Sequence, residues 1–300
     1  MTLPQIVLLF VAAILGGTLN SVAGGGTFIT LPSLIFTGVL PINANATSTV
    51  ALWPGSIASV GAYYHELMKQ KLMQTLILSG ASLVGGILGA FLLLSTSQST
   101  FVLLLPYLLL LATVLFAVSG PVTARLRHRS TALKPVAEPV AEEKIATTSN
   151  ATPLPPLQQA DQPLETRPVE QSMDLISRQT SWPVLIGITF LQLIISIYGG
   201  YFGGGIGILM LATLGLMGME NIHEMNAVKT LLTTCINGVA VIIFIAKGVV
   251  EWPQAILMVI GAIIGGFGGA YFARKLNPLW VRWFVIAVGV SMTIYFFVYR

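Results

Sequence analysis

Charged residues are scarce in this 300-residue chain: 15 are basic and 11 are acidic, which is 9% of the total. Soluble domains carry roughly one quarter charged residues. Hydrophobic residues make up 55% of the chain, and the mean hydropathy is +0.84. Because so few charged residues cannot cover a water-facing surface, the composition excludes an ordinary soluble domain. It predicts a membrane protein.

Cysteine is almost absent as well, since Cys235 is the single one. One cysteine excludes an intramolecular disulfide and a multi-cysteine metal site. The sequence also lacks a Walker A motif, an HExxH motif and a Ser/His/Asp set, so we predict neither an enzyme nor a bound cofactor or metal. The net charge of +4 is explained more simply by basic membrane loops than by nucleic-acid binding, and no nucleic-acid partner is expected.

Apolar runs long enough to cross a bilayer, about 20 residues each, recur along the chain. The first run has no basic residue before it, because the first Lys or Arg is Lys69, so we interpret it as a retained span and not as a signal peptide. Together the runs predict an all-α, polytopic membrane protein surrounded by the lipid bilayer. The predicted spans are 3–23, 72–94, 101–118, 184–201, 255–272 and 280–298, with 46–64 and 228–246 as two further spans that begin polar and become apolar.

Three motifs occur in the same order in both halves of the chain, and they predict an internal duplication. Corresponding apolar segments that are broken by glycine in two halves of a membrane protein indicate a transport site at the interface of the repeats. The pairs are the glycine triplets 24–26 and 203–205, the Asn-Ala elements 44–46 and 225–227, and the glycine-rich stretches 85–90 and 265–270. We expect the third pair to allow close packing of helices.

The segment 120–181 differs from the rest, because it holds eight of the 16 prolines and 14 of the 26 charged residues. Such a composition cannot bury enough apolar surface to offset the entropy of ordering. We therefore predict a disordered, Pro-rich linker between two membrane repeats, 1–119 and 182–300. The positive-inside rule places this linker in the cytoplasm.

Each repeat is expected to contain about four spans and one short apolar segment after its glycine triplet, 27–40 or 206–217. About 14 residues of helix reach about 21 Å, which is short of the roughly 30 Å hydrocarbon core, so these segments should be half-helices or re-entrant helices. If they do not change sides of the membrane, the repeats are parallel. If they return the chain, the repeats are inverted, and we favour this arrangement because it puts more basic residues on the cytoplasmic face.

The glycine triplets should let each helix stop and restart. A restarted helix presents free backbone N–H groups and a positive dipole end, which can bind an anion without a basic side chain. The alternative is that the glycines only allow helices to pack closely. The candidate residues are Gly24, Gly25, Gly26 and Thr27 in the first half, and Gly203, Gly204 and Gly205 in the second.

A second group of polar residues opens the following span in each half: Asn45, Thr47 and Ser48 in the first, and Asn226 and Lys229 in the second. The Asn and Thr side chains could instead be helix N-caps. An ionisable residue within a span is a functional candidate by default. For the lysine, the alternatives are that it snorkels to the interface or pairs with a nearby glutamate, Glu220 or Glu224. A cavity rich in N–H, hydroxyl and ammonium groups but poor in carboxylates favours a small anion.

The duplicated unit, the glycine triplets and the Ala-Asn-Ala-Thr-Ser element at 44–48 resemble the TauE/SafE sulfite exporter family of bacterial permeases. The resemblance covers both membrane halves and not the linker. It implies a multi-pass protein of the bacterial cytoplasmic (inner) membrane that transports sulfite, organosulfonates or related small sulfur oxyanions. By position, the resemblance implicates two groups of residues in substrate binding: the glycine triplets with Thr27, and the polar residues that open the following spans. We expect a secondary transporter for such an anion, with an anion channel or a permease for a different small anion as alternatives; neither a coupling ion nor an oligomeric state is predicted.

Overall fold

The computed structural model describes residues 1–132, 182–219, 221–272 and 278–298, and all regular structure in these residues is helical. This confirms the predicted all-α fold of a polytopic membrane protein. The linker residues 133–181 lie outside the described residues. The helices are α1 (Leu3–Ala23), α2 (Thr27–Phe36), α3 (Pro41–Ala62), α4 (Tyr64–Leu67), α5 (Leu72–Ser95), α6 (Gln98–Ala132), α7 (Trp182–Tyr201), α8 (Ile206–Leu216), α9 (Ile222–Ala246), α10 (Trp252–Phe272) and α11 (Pro278–Val298).

Five helices in the described part of the chain are long and apolar enough to cross a membrane: α1, α5, α6, α7 and α9. They confirm the spans predicted at 3–23, 72–94, 101–118, 184–201 and 228–246. The other long helices, α3, α10 and α11, have 22, 21 and 21 residues, so each measures over about 30 Å. Helix α3 is less apolar because it carries the Asn, Thr and Ser residues singled out above.

Both glycine triplets break a helix, as predicted. Helix α1 ends at Gly24, whose φ is 74°, and α2 begins at Thr27. Helix α7 ends at Tyr201, and Gly205 (φ 77°) precedes the start of α8 at Ile206. A positive φ is costly for any residue with a side chain, so these two positions need glycine.

Helices α2 and α8 have 10 and 11 residues and therefore measure about 15 Å and 17 Å. Neither can cross a bilayer alone, which confirms the prediction of a short helix after each triplet. Helix α2 folds back along α1, since a Cβ built on Gly16 would overlap the methyl group of Thr30. The short helices thus lie inside the bundle.

Glycines allow two pairs of long helices to pack in close contact. Helix α1 packs along α10, and α5 packs along α7. A Cβ on Gly265 would overlap the carbonyl of Ile14, and a Cβ on Gly89 would overlap the carbonyl of Ile197. The prediction that the glycine-rich stretches serve close packing is confirmed at these positions.

The contacts between the two halves are reciprocal. Helix α3 packs on α10 as α9 packs on α5, α2 touches α11 as α8 touches α6, and the two central helices α3 and α9 pack on each other. Two repeats related by a two-fold axis would produce this reciprocal set of helix contacts. The duplication itself stays a prediction.

The helix directions follow from which residues meet. Thr47 lies beside Glu251 and Gly55 beside Ala262, so α3 runs parallel to α10. Because a short turn, 247–251, joins α9 to α10, α9 runs opposite to α10 and therefore antiparallel to α3. Helices in matching places of the two halves thus run in opposite directions, which is the direction expected of the inverted arrangement.

Three boundaries differ from the sequence prediction. Helix α3 begins at Pro41, a residue suited to the first turn of a helix, and not at 46. Helix α9 begins at Ile222, after an Asn221 cap whose side chain accepts a hydrogen bond from the His223 N–H. Helix α6 continues to Ala132, past the predicted linker boundary at 120, because residues 122–132 contain Ala, Arg and Leu and no proline.

Candidate functional site

The two breaks face each other inside the bundle. A Cβ built on Gly24 would lie 3.3 Å from the Cα of Gly207, and one on Gly203 would lie 3.9 Å from the Thr27 hydroxyl. The starts of α2 and α8 are therefore neighbours although they come from opposite halves. Their N-terminal dipole ends meet in one region of the bundle.

The break before α8 is held in place by Tyr198. Its hydroxyl donates a hydrogen bond of 2.8 Å to the Gly204 carbonyl. No described residue accepts a hydrogen bond from the N–H groups of Ile206 and Gly207. These amides are the free donors that a restarted helix is expected to provide.

The polar residues of α3 are buried but are occupied by packing partners. Asn45 is 1% exposed, and its Nδ2 donates to the Tyr201 carbonyl at 3.0 Å. Its Oδ1 has no hydrogen-bond donor among the described residues. Thr47 Oγ1 accepts the Glu251 N–H at 3.0 Å, and Ser48 Oγ lies 2.6 Å from the Thr30 hydroxyl. These contacts join α3 to α2, to the turn before α10 and to the end of α7.

Lys229 is only 3% exposed. Among the described residues its ammonium has no hydrogen-bond acceptor and no ion-pair partner. Glu224, one of the expected partners, instead accepts hydrogen bonds from Gln70 at 3.0 Å and Asn221 at 3.1 Å, and Glu220 lies outside the described residues. Its burial also excludes a snorkelling side chain, whose head group would be solvent-exposed.

The Lys229 side chain lines a small polar cavity, which we call the Lys229 cavity. Its volume is about 10 Å³, room for about one water molecule. Asn20 donates across it to Ser56 Oγ at 3.0 Å, so α1 and α3 are linked at its wall. The lining residues are Asn20, Gly24, Ser56, Ser59, Lys229, Thr230 and Thr233.

The charge balance of the Lys229 cavity is positive. Its lining contains one ammonium, one amide and four hydroxyl-bearing side chains (Ser56, Ser59, Thr230 and Thr233), and no carboxylate. In the part of the chain that the structure describes, no group of three or more His, Cys, Asp or Glu residues could hold a metal ion. Chemically, the cavity can donate hydrogen bonds and neutralise one negative charge.

Of the residues proposed from the sequence, Gly24 and Lys229 line the cavity. The other proposed residues do not line it. Gly25, Gly26 and Thr27 lie at the first break, and Gly203, Gly204 and Gly205 lie at the second. Asn45, Thr47 and Ser48 are packed between helices, and Asn226 is half-buried on α9. The alternative that Asn45 and Asn226 are N-caps is wrong, because α3 and α9 begin several residues earlier.

Five lining residues were not among the binding residues proposed from the sequence: Asn20, Ser56, Ser59, Thr230 and Thr233. Ser56 and Ser59 are three residues apart on α3, and Lys229 and Thr233 are four apart on α9. Those spacings place each pair on one face of a helix. A search for polar residues at helical spacing around Lys229 could have found them.

The fold and the cavity together define a multi-pass helical membrane protein with a buried cationic pocket. The chain belongs to the TauE/SafE sulfite exporter family, whose model matches residues 9–296.

Similar curated proteins carry transporter names. The "Probable membrane transporter protein ORF9" of Sinorhizobium sp is 24% identical over 290 residues, which are 95% of this chain and 90% of that protein. The "Probable membrane transporter protein YfcA" of Escherichia coli (strain K12) is 23% identical over 289 residues, which are 95% of this chain and 87% of that protein. No solved structure matches. The family and these names support membrane transport.

Proposed function

We propose that this protein is a secondary transporter of a small sulfur-containing oxyanion, sulfite or an organosulfonate, and that the Lys229 cavity is its binding site. The observation that carries the proposal is the ammonium of Lys229, 3% exposed and without a partner among the described residues. A buried charge costs several kcal/mol unless it is compensated. A bound anion supplies the missing charge.

The rest of the cavity suits the oxygen atoms of such an anion. The Thr230 hydroxyl and the second N–H of the Asn20 amide can donate hydrogen bonds to the oxygens of an anion. The hydroxyls of Ser56, Ser59 and Thr233 donate in this structure to the Leu52 and Gly55 carbonyls and to Met210 Sδ, and rotation about the Cα–Cβ bond can turn them to the anion. With one ammonium and no carboxylate, the lining balances one negative charge. We therefore expect a monoanion to be preferred over a dianion.

The size of the cavity favours a transporter over an anion channel. A volume of about 10 Å³ holds about one water molecule, so it cannot hold a four-atom oxyanion or serve as a continuous pore. The helices around it must separate before the anion enters. An obligatory conformational change of this kind belongs to a carrier.

The orientation proposed for the chain follows from its basic residues. Lys69 and Lys71 lie beside the start of α5, at the same end of the bundle as the start of α9, whereas Lys247 lies at the opposite end. The positive-inside rule then puts the start of α9 and the linker in the cytoplasm. We propose the bacterial inner membrane as the location.

Sulfite flux into proteoliposomes tests the proposed function. The unsubstituted protein should show saturable uptake that is accelerated by sulfite on the other side of the membrane. Lys229→Met should lower uptake at low sulfite concentration at least about thirtyfold. Lys247→Met is the matched control, because Lys247 is an exposed lysine at the end of the same helix, and it should transport normally.

Three results would contradict the proposal. Flux that never saturates and shows no counterflow would indicate a channel. Uptake unchanged in Lys229→Met would remove the cavity from the mechanism. No flux of sulfite, methanesulfonate or taurine in any variant would overturn the sulfur-anion cargo.

A further inference from the structure

The first half of the chain is tied to the second half at the end of the bundle where α9 begins. Gln70, in the turn before α5, donates from Nε2 to Glu224 Oε2 of α9 at 3.0 Å. Asn221 donates to the other carboxylate oxygen at 3.1 Å. We call Gln70 and Glu224 the α9 latch.

A similar tie lies at the opposite end, where α3 begins. Asn43 of α3 donates from Nδ2 to Glu251 Oε1, in the turn before α10, at 3.3 Å. Gln98, the first residue of α6, donates to Asn43 Oδ1 at 3.4 Å. We call Asn43 and Glu251 the α3 latch.

The two latches occupy matching places in the two halves. Asn43 stands two residues before Asn45, as Glu224 stands two residues before Asn226. The partner in each case, Glu251 or Gln70, lies in the turn just before the next long helix. Each latch therefore pairs one carboxylate with one amide, and the carboxylate is on the central helix in one latch and on the turn in the other.

The latches lie on either side of the Lys229 cavity because α3 and α9 are antiparallel. Along α9, Lys229 is five residues from Glu224, or about 7.5 Å. Along α3, Ser56 is thirteen residues from Asn43, or about 20 Å. The cavity is thus closer to the α9 latch.

The space between the cavity and the α3 latch is filled by packed side chains. Ser48 and Thr30 are both 0% exposed and bonded to each other at 2.6 Å. Trp53 donates from Nε1 to the Thr234 carbonyl at 3.2 Å, which joins α3 to α9. A longer stretch of packed side chains therefore separates the cavity from the α3 end of the bundle than from the α9 end.

We propose that the two latches are the gates of this protein: each holds one end of the bundle closed, and they open alternately to expose the Lys229 cavity to opposite sides of the membrane. The proposal rests on the proposed transport function. A carboxylate–amide hydrogen bond is strong enough to hold two helices together and weak enough to be exchanged for water. The matching positions explain how one packing rearrangement can close one end as it opens the other.

Side-specific thiol labelling tests the gates without any substrate. Ser59→Cys in a Cys235→Ser background places a single thiol in the cavity, and 2-sulfonatoethyl methanethiosulfonate is a membrane-impermeant anionic probe for it. Labelling is followed in vesicles of both orientations. Gln70→Ala or Glu224→Ala should speed labelling about tenfold from the α9 end alone, which corresponds to about 1.4 kcal/mol.

Asn43→Ala or Glu251→Ala should speed labelling from the α3 end alone, and by a smaller factor, because packed side chains such as Trp53 lie between that latch and the cavity. Lys69→Ala and Lys247→Ala are controls, since both lysines are exposed and take no part in a latch. The exchanged pair Gln70→Glu with Glu224→Gln keeps one carboxylate and one amide, and it should restore the slow rate.

Equal acceleration from both ends, or no restoration by the exchanged pair, would show that these bonds only stabilise the fold and would overturn the proposal. If labelling is side-specific but no sulfur anion is transported, the gates are supported and the proposed cargo is wrong. The two failures are therefore distinguishable.

Discussion

Lys229→Met is expected to change stability and transport in opposite directions. Methionine keeps an unbranched side chain of similar length but removes the ammonium. The other lining residues of the Lys229 cavity stay in place. Any change therefore reports on the charge more than on the packing.

The stability of the empty protein should rise. A lysine at the centre of a membrane helix costs about 2.5–3.5 kcal/mol on insertion scales. Lys229 lies seven residues into α9, or about 10 Å along its axis, which is short of the middle of this 25-residue helix, so the cost is smaller than at the centre. We expect a gain of about 1–2 kcal/mol, since replacing a buried charge by an apolar side chain is often stabilising by about 1–4 kcal/mol.

Transport should fall steeply. Two unit charges 4 Å apart attract each other by about 4 kcal/mol at an effective dielectric constant of 20. Part of this attraction is offset by desolvation of the anion, which leaves about 2–3 kcal/mol. Since about 1.4 kcal/mol corresponds to tenfold in affinity, uptake at low sulfite concentration should fall by about 30- to 100-fold.

The assay pairs thermal unfolding in detergent with initial uptake rates in proteoliposomes. Lys247→Met is the control and should leave both quantities unchanged. A Lys229→Met protein that unfolds at a lower temperature and still transports would show that the lysine has a structural partner and binds no anion.

Three further substitutions test the packing around the breaks. Gly265→Ala should lower the unfolding temperature because its Cβ would overlap the backbone of α1, whereas Gly268→Ala, which meets nothing within 4 Å, should not lower it. Gly205→Ala places a side chain at φ 77°, which costs about 1–2 kcal/mol, and should lower both the unfolding temperature and the flux. Tyr198→Phe removes the hydroxyl bound to the Gly204 carbonyl, at a cost of about 1 kcal/mol, and should speed amide hydrogen exchange in the following residues, as measured by mass spectrometry.

The helices and their breaks could be predicted from the sequence because both depend on local properties. Apolar runs of spanning length fix the long helices. The glycines at 24 and 205 mark the places where the backbone takes a positive φ. The helix starts at Pro41 and Ile222 were placed too late, because the first turns of α3 and α9 contain polar residues that weaken the apolar signal.

The composition of the cavity could be predicted only in part. Lys229 stood out because a charge within an apolar span is rare, and Gly24 because it belongs to a triplet. Ser59 and Thr233 resemble many other hydroxyl residues, and only the packing of α3 against α9 brings them together. The same packing turns Ser48 toward Thr30, although its position in the sequence matches that of Lys229.

Equilibrium binding of sulfite and methanesulfonate to the purified protein tests most directly whether the Lys229 cavity is an anion site. We expect saturable binding of one anion per chain in the unsubstituted protein and in Lys247→Met, and binding at least about thirtyfold weaker in Lys229→Met. Equal affinity in all three proteins would show that the cavity is not an anion site.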